Sequence, residues 1–199
     1  SLQLAAVSGA MAARVGGVSA LLASDVCCVR EVWRVAVSGA DVISEVPSNR
    51  WSVGQSMDRN TFSQRARHGG FLVGAQLFDG ACFGVPAAET AALDPQQRLL
   101  LERGYEALHG AALCRRLLMG SLTGVFVGIA ANDFATMVAS SSAGMSVYAA
   151  TGSSHSIAAG RLSYVLGLHG PGIAYDTACS AALVASHSAL RALRGGECT

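Results

Sequence analysis

Asp176-Thr177-Ala178-Cys179-Ser180 sets a thiol between two unlike local patterns. Upstream, Ile173-Ala174-Tyr175 reads as a short apolar strand, introduced by the turn Gly170-Pro171-Gly172. Downstream, Ser180 to Arg194 reads as a helix, with Leu183 and Leu190 seven apart on one face, Arg191 and Arg194 in the last turn, and Gly195-Gly196 ending it. A sulfur at such a strand-to-helix turn meets unpaired backbone N–H groups and the positive end of the helix dipole. That field favours thiolate, the nucleophilic form. Ala178, Ser180 and Ala181 are small, as a sharp turn with close strand–helix packing requires. The logic is that of the nucleophile elbow of hydrolases with sulfur in place of a serine oxygen. Spacing by itself leaves the alternative open, a buried cysteine that only packs.

Other segments supply the frame. Asp94 can cap a helix whose first position is Pro95 and where Gln97 stands at the amide position of a capping box. Leu100, Gly104, Ala107 and Leu108 then share a face, so a helix is expected from Pro95 to about His109. Thr123 to Ile129 is a β-branched and aromatic run that suits a strand buried on both faces, as in a parallel sheet. Ser156 to Leu168 reads as a helix, as does Val29 to Ser38, closed by Gly39. Residues 2–7 suit a buried first strand, and Asn132-Asp133-Phe134 opens a helix or loop. Strands alternating with helices imply βαβ units, hence an α/β fold.

Composition narrows the function classes. With 51% apolar and 14% charged residues and 23 glycines, 199 residues suit a tightly turned core, either one domain or part of a larger one. A net charge of +1 and no basic run give no electrostatic case for nucleic acid or an acidic membrane surface. The cysteines at 27, 28, 82, 114, 179 and 198 make no zinc-type spacing, so no metal is expected and free thiols in a reducing compartment are. Cys27 and Cys28 read as packing. Leu117 to Ala131 is too short and too interrupted to span a membrane, and no basic leader marks a signal peptide. The first residue is not Met, so an upstream segment is expected.

The strings themselves carry a resemblance. Asp176-Thr177-Ala178-Cys179-Ser180 followed by Leu183-Val184-Ala185 resembles the active-site motif of β-ketoacyl synthases, most closely the ketosynthase domains of modular polyketide synthases and type I fatty acid synthases. Asp94-Pro95-Gln96-Gln97-Arg98-Leu99-Leu100-Leu101-Glu102 is similar to a string typical of the type I enzymes. So is the order Thr151-Gly152, then Ser156 and Ala159-Gly160-Arg161-Leu162-Ser163-Tyr164, then Gly170-Pro171. Asp41 to Trp51 and Gly69-Gly70-Phe71-Leu72 also fit, while Cys82 replaces an aromatic and Ala181 a serine. At the amino end only Met11, Ala12 and Arg14 fit, so the likeness is strongest over 29–199. Arg50 beside Trp51 reads as a structural stack rather than a catalytic pair.

The resemblance implies a thiolase-like α/β fold, a mixed sheet sandwiched by helices, of which residues 1–199 form the N-terminal part of one incomplete domain without its C-terminal half. It implies Cys179 as the acyl acceptor in decarboxylative Claisen condensation with a malonyl-type extender, in polyketide or fatty acid biosynthesis. Substrates ride on the phosphopantetheine of an acyl carrier protein, and no cofactor is bound directly. The implied partners are that carrier protein and a second copy in a homodimer paired through the strand next to the cysteine turn. A cytoplasmic site, or a plastid or other organelle, is implied. The family's two assisting histidines and supporting lysine lie downstream of its cysteine. None of the five histidines here (68, 109, 155, 169, 187) sits in such a motif, and the chain has no lysine. His68 and His109 read as solvated and His187 as packing. The competing expectation is therefore a truncated, non-condensing half-domain that serves as a scaffold or dimerisation module. A thiol-redox role fits less well, since Cys198 is a helix away from Cys179.

Overall fold

In the computed structural model, which describes residues 13–50, 67–141 and 146–199, the chain divides into two units. One is Ser19–Ala75, the other the described residues of Ser1–Val18 and Gln76–Thr199. The strand expected over 2–7, the matches at Met11 and Ala12 and the Trp51 half of the Arg50–Trp51 stack fall on residues outside those described.

In the smaller unit, helix α1 (Val29–Ser38) follows the extended Cys28 and closes at left-handed Gly39, whose N–H donates to the Val35 carbonyl. Strands β1 (Ser44–Glu45) and β2 (His68–Gly69) pair antiparallel. Arg67 Nε lies 2.6 Å from Glu45 Oε1, which holds the Glu45 carboxyl below its ordinary range. Arg50 donates to the Leu72 carbonyl at 3.1 Å. Cys27 and Cys28, expected to pack, are both exposed, because the start of α1 buries no side chain.

The larger unit begins with α2 (Ala87–Ala92), too short for the sequence periodicity to announce. Asp94 then accepts the Gln96 N–H at 2.7 Å and starts α3 (Pro95–Gly110). A short α4 (Arg115–Leu118) leads to β3 (Val125–Gly128), α5 (Asp133–Ala139), α6 (Ala149–Ser153) and α7 (His155–Leu166). Left-handed Gly167 ends α7 at φ 68°. After it come β4 (Gly172–Tyr175), a 3-10 turn (Ala178–Ser180) and α8 (Ala181–Gly195).

β3 and β4 run parallel, from Val125 opposite Gly172 to Gly128 opposite Tyr175. Side chains alternate between the faces of a strand. Val125, Val127 and Ile129 therefore join Ala158, Ala159, Leu162 and Leu166 of α7 in one core, which also holds Leu101 and Leu118. Burying each of these large side chains contributes about 1.5–3 kcal/mol. Gly128 looks the other way, where an added Cβ would stand 2.5 Å from the Ala181 carbonyl carbon and the Ala182 nitrogen. Helices thus cover both faces of the pair.

That approach decides which face of α8 is buried. Leu183 is 74% exposed, and Ala181, Ala185 and Ala192 are the buried residues. A backbone held so close to the sheet leaves room for methyl groups only.

Candidate active site

β4 ends at Tyr175, α8 starts at Ala181, and the five residues between them make the turn. Asp176 steers it by accepting the Ala178 N–H through Oδ1 at 3.3 Å. Ala178 lies in the left-handed region at φ 52°, a conformation that costs a non-glycine residue about 1–2 kcal/mol. The Ser180 hydroxyl bonds back to the Thr177 carbonyl at 2.8 Å and to the Thr177 hydroxyl at 3.0 Å. The Ser180 N–H reaches the same carbonyl at 3.2 Å. Inside this knot Cys179 is exposed and free, as are Cys27, Cys28, Cys82 and Cys114, whereas Cys198 is free but buried. The thiol is exposed in the 3-10 turn that leads into the N-terminus of the 15-residue α8, a place where access and the helix dipole favour thiolate chemistry.

Neighbouring elements are locked by a buried polar network. Gln97 is 2% exposed and is not the arm of a capping box. Its Nε2 donates to the Thr151 and Ser154 carbonyls, each at 3.2 Å, because α3 turns it toward α6 and α7 rather than back to Asp94. Arg161 completes the network, donating from Nε to Gln97 Oε1 at 2.8 Å and from Nη1 to Glu89 Oε1 at 2.5 Å. Gly152 allows the close fit, since a Cβ there would stand 2.1 Å from the Ala92 carbonyl oxygen. Breaking a buried pair such as Arg161–Glu89 costs about 3–5 kcal/mol. Sequence reading recognised both strings but not their meeting. The available signal was Arg161, the one formally charged side chain of α7.

Of the histidines, His155 is half-buried and its Nε2 lies 2.9 Å from the Ala131 carbonyl oxygen. With Ile129, Ser156, Ile173, Ala174 and Asp176 it lines a cavity of about 290 Å³. His68 and His109 are exposed, as expected, and so is His169. His187, expected to pack, is exposed too, since α8 buries its alanine stripe instead. No group of three or more metal-ligating side chains occurs among the described residues, and no helix among them is long and apolar enough to cross a membrane.

Comparison with known proteins gives this turn a context. The chain is 43% identical over 185 residues to the pikromycin polyketide synthase component PikAII of Streptomyces venezuelae, covering 91% of this chain and 5% of that protein. It is 44% identical over 171 residues to the phenolphthiocerol synthesis polyketide synthase type I Pks15/1 of Mycobacterium bovis, covering 84% and 8%. Among solved structures, the oxazolomycin ketosynthase domain OzmH KS7 of Streptomyces albus superposes with a TM-score of 0.78 at 33% identity over 92% of this chain and 33% of that one. The ketosynthase from module 6 of the bacillaene synthase of Bacillus subtilis gives 0.74 at 33% identity over 92% and 29%. The chain thus spans a small fraction of the synthases and about a third of the ketosynthase structures. The fold is the thiolase-like fold of those ketosynthases. Residues 12–199 match the family described as β-ketoacyl synthase, N-terminal domain, and the chain belongs to that family.

Proposed function

We propose that this chain is the cysteine-bearing part of a ketosynthase domain and that Cys179 is its acyl acceptor. The family match runs through both structural units, from 12 to 199, which supports assigning residues 1–199 to one domain. The observation that carries the proposal is the exposed Cys179 between β4 and the start of α8.

In the proposed reaction, the Cys179 thiolate attacks the carbonyl carbon of an acyl thioester carried on the phosphopantetheine of an acyl carrier protein. The carbonyl π electrons move onto oxygen, and in this scheme the Cys179 backbone N–H donates to that oxyanion. One such donor contributes roughly 10²–10³-fold to the rate. Collapse breaks the carrier's C–S bond, and the departing thiolate takes a proton. A malonyl-type extender on the carrier then loses carbon dioxide. Its enolate carbon attacks the acyl-Cys179 carbonyl, forming the new C–C bond and releasing the Cys179 sulfur. The chain binds no cofactor in this scheme.

Incubation with an acyl thioester of N-acetylcysteamine tests the acylation step by mass spectrometry. One acyl group is expected on the chain and none on Cys179→Ala. Acylation that survives Cys179→Ala would sink the assignment. A second reading, a half-domain that pairs with its copy and does not condense, is favoured by the edge of β4 that no other described strand pairs with. It requires dimers that take up no acyl group.

A further inference from the structure

Past the end of α8 the chain folds back on the helix. Gly196 is left-handed at φ 70°. Its N–H donates to the Leu193 carbonyl at 3.2 Å, and the Glu197 N–H donates to the Ala192 carbonyl at 3.0 Å. Cys198 is then buried against Gly124, where an added Cβ would stand 3.2 Å from its Sγ. The Thr199 N–H pins the segment to the Leu122 carbonyl at 3.1 Å. Leu190, Leu193 and Arg194 stand three and four positions apart on one face of α8. With Arg14 and Cys198 they line a cavity of about 430 Å³.

The lining divides by chemistry. Leu190, Leu193 and Cys198 are apolar, whereas Arg14 and Arg194 bring two guanidiniums to the same cavity. No carboxylate among the described residues pairs with either one. The nearby Glu197 carboxylate lies over Gly195 instead, with Oε1 3.4 Å from where a Cβ would stand. Two like charges on one cavity repel until an anion joins them. The Ala192 and Leu193 carbonyls are already taken by N–H groups, which blunts the negative end of the helix dipole. Clefts that hold small molecules are mostly apolar with a few placed polar groups. A bare phosphate would leave the leucines wet, and a neutral or cationic amphiphile would leave both guanidiniums unmatched. A planar carboxylate fits the fork of an arginine, and an aliphatic tail fits the leucines.

We propose that this cavity binds an unbranched aliphatic carboxylate, its head held by Arg14 and Arg194 and its tail laid over Leu190, Leu193 and Cys198. The site is separate from Cys179, which stands at the opposite end of α8, about 20 Å away at a rise of ~1.5 Å per residue. Such an anion is what hydrolysis of an aliphatic thioester releases. Binding makes and breaks no covalent bond, and it does not depend on acylation of Cys179.

Isothermal titration calorimetry of the whole chain with decanoate, below its micellar concentration, tests this. Acetate supplies the head alone, and decyltrimethylammonium supplies the same tail under a positive head. A single decanoate per chain is expected, bound at least about tenfold more tightly than either comparison compound. Arg14→Gln and Arg194→Gln should each weaken it roughly tenfold, because a charge-assisted hydrogen bond is lost. Leu193→Asn should weaken decanoate too, by wetting the floor under the tail. Cys179→Ala, and Arg116→Gln at an exposed arginine outside the lining, should bind as the unaltered chain does. Circular dichroism confirms that each variant keeps its helices. No binding of decanoate, equal binding of decyltrimethylammonium, or full affinity in both arginine variants would overturn the site. Loss of binding in Cys179→Ala would overturn it as well, by placing the ligand at the other end of α8.

Discussion

Cys27 and Cys179 are both exposed thiols, each near a carboxylate, but the two carboxylates are used differently. Asp176 spends Oδ1 on the Ala178 N–H, so it builds the turn. Glu31 takes the Cys27 S–H, and that hydrogen bond, with the charge behind it, pushes the Cys27 thiol above its ordinary value. A raised thiol holds less thiolate at any given pH, and thiolate is what alkylates. Glu31→Gln removes the charge, lowers the thiol and enlarges its thiolate fraction. Near neutral pH, iodoacetamide should therefore label Cys27 severalfold faster in Glu31→Gln than in the unaltered chain, with the Cys179 rate as the constant reference. Peptide-level mass spectrometry reads both rates, and an unchanged or slower Cys27 would refute the role given to Glu31. At this scale the sequence was legible where chemistry is local. The Asp94 cap, the Pro95 start, the αL Gly39 and the turn around Cys179 all involve residues within a few positions of each other. Gln97 and Arg161 are 64 positions apart, and no local rule couples them, so the network they form went unread.

At the scale of elements, the helix α8 was located within a residue or two, but the sequence named only its leucine stripe, whereas the buried stripe is the alanines. Helical spacing finds stripes, and this helix offers two, one of leucines and one of alanines. Hydrophobicity alone favours the leucines. What decides is the separation between α8 and β3, fixed by Gly128 against the backbone of Ala181 and Ala182, and that distance is a tertiary quantity. Helix α2 was missed for a different reason, because six residues complete fewer than two turns. The geometry at Gly128 yields a contrast between two substitutions. Gly128→Ala adds a methyl group where only backbone can move, so it should cost about 1–3 kcal/mol and slow acylation by shifting the turn before α8. Leu183→Ala removes a larger side chain from an exposed position and should stay within about 0.5 kcal/mol. Urea denaturation of both variants checks this. A larger loss from Leu183→Ala than from Gly128→Ala would mean that the leucine stripe is the buried one after all.

At the scale of the molecule, the open question is what lies along β4. Its partner on one side is β3, and no other described strand pairs with it. The Pro171 and Tyr175 carbonyls accept the Val125 and Ile129 N–H groups at 2.8 and 3.0 Å. Odd-numbered residues therefore turn their peptide groups to β3, while Gly172 and Ala174 turn theirs to the other edge. Edge strands are commonly blunted by charge, proline or a bulge. Gly172-Ile173-Ala174-Tyr175 has none of these, and Ile173 is partly exposed. A second copy laid antiparallel along this edge would satisfy the outward groups by an isologous contact. Ala174→Pro isolates that contact, because proline removes the outward N–H and leaves the bonds to β3 intact. A two-fold pairing loses the hydrogen bond twice, about 1 kcal/mol each time, so the dimer dissociation constant should rise roughly thirtyfold. Sedimentation equilibrium measures it, with circular dichroism confirming that the variant keeps its helices. A monomeric unaltered chain, or an Ala174→Pro variant that associates as tightly, would exclude pairing through β4 and with it the dimerisation role of the half-domain reading.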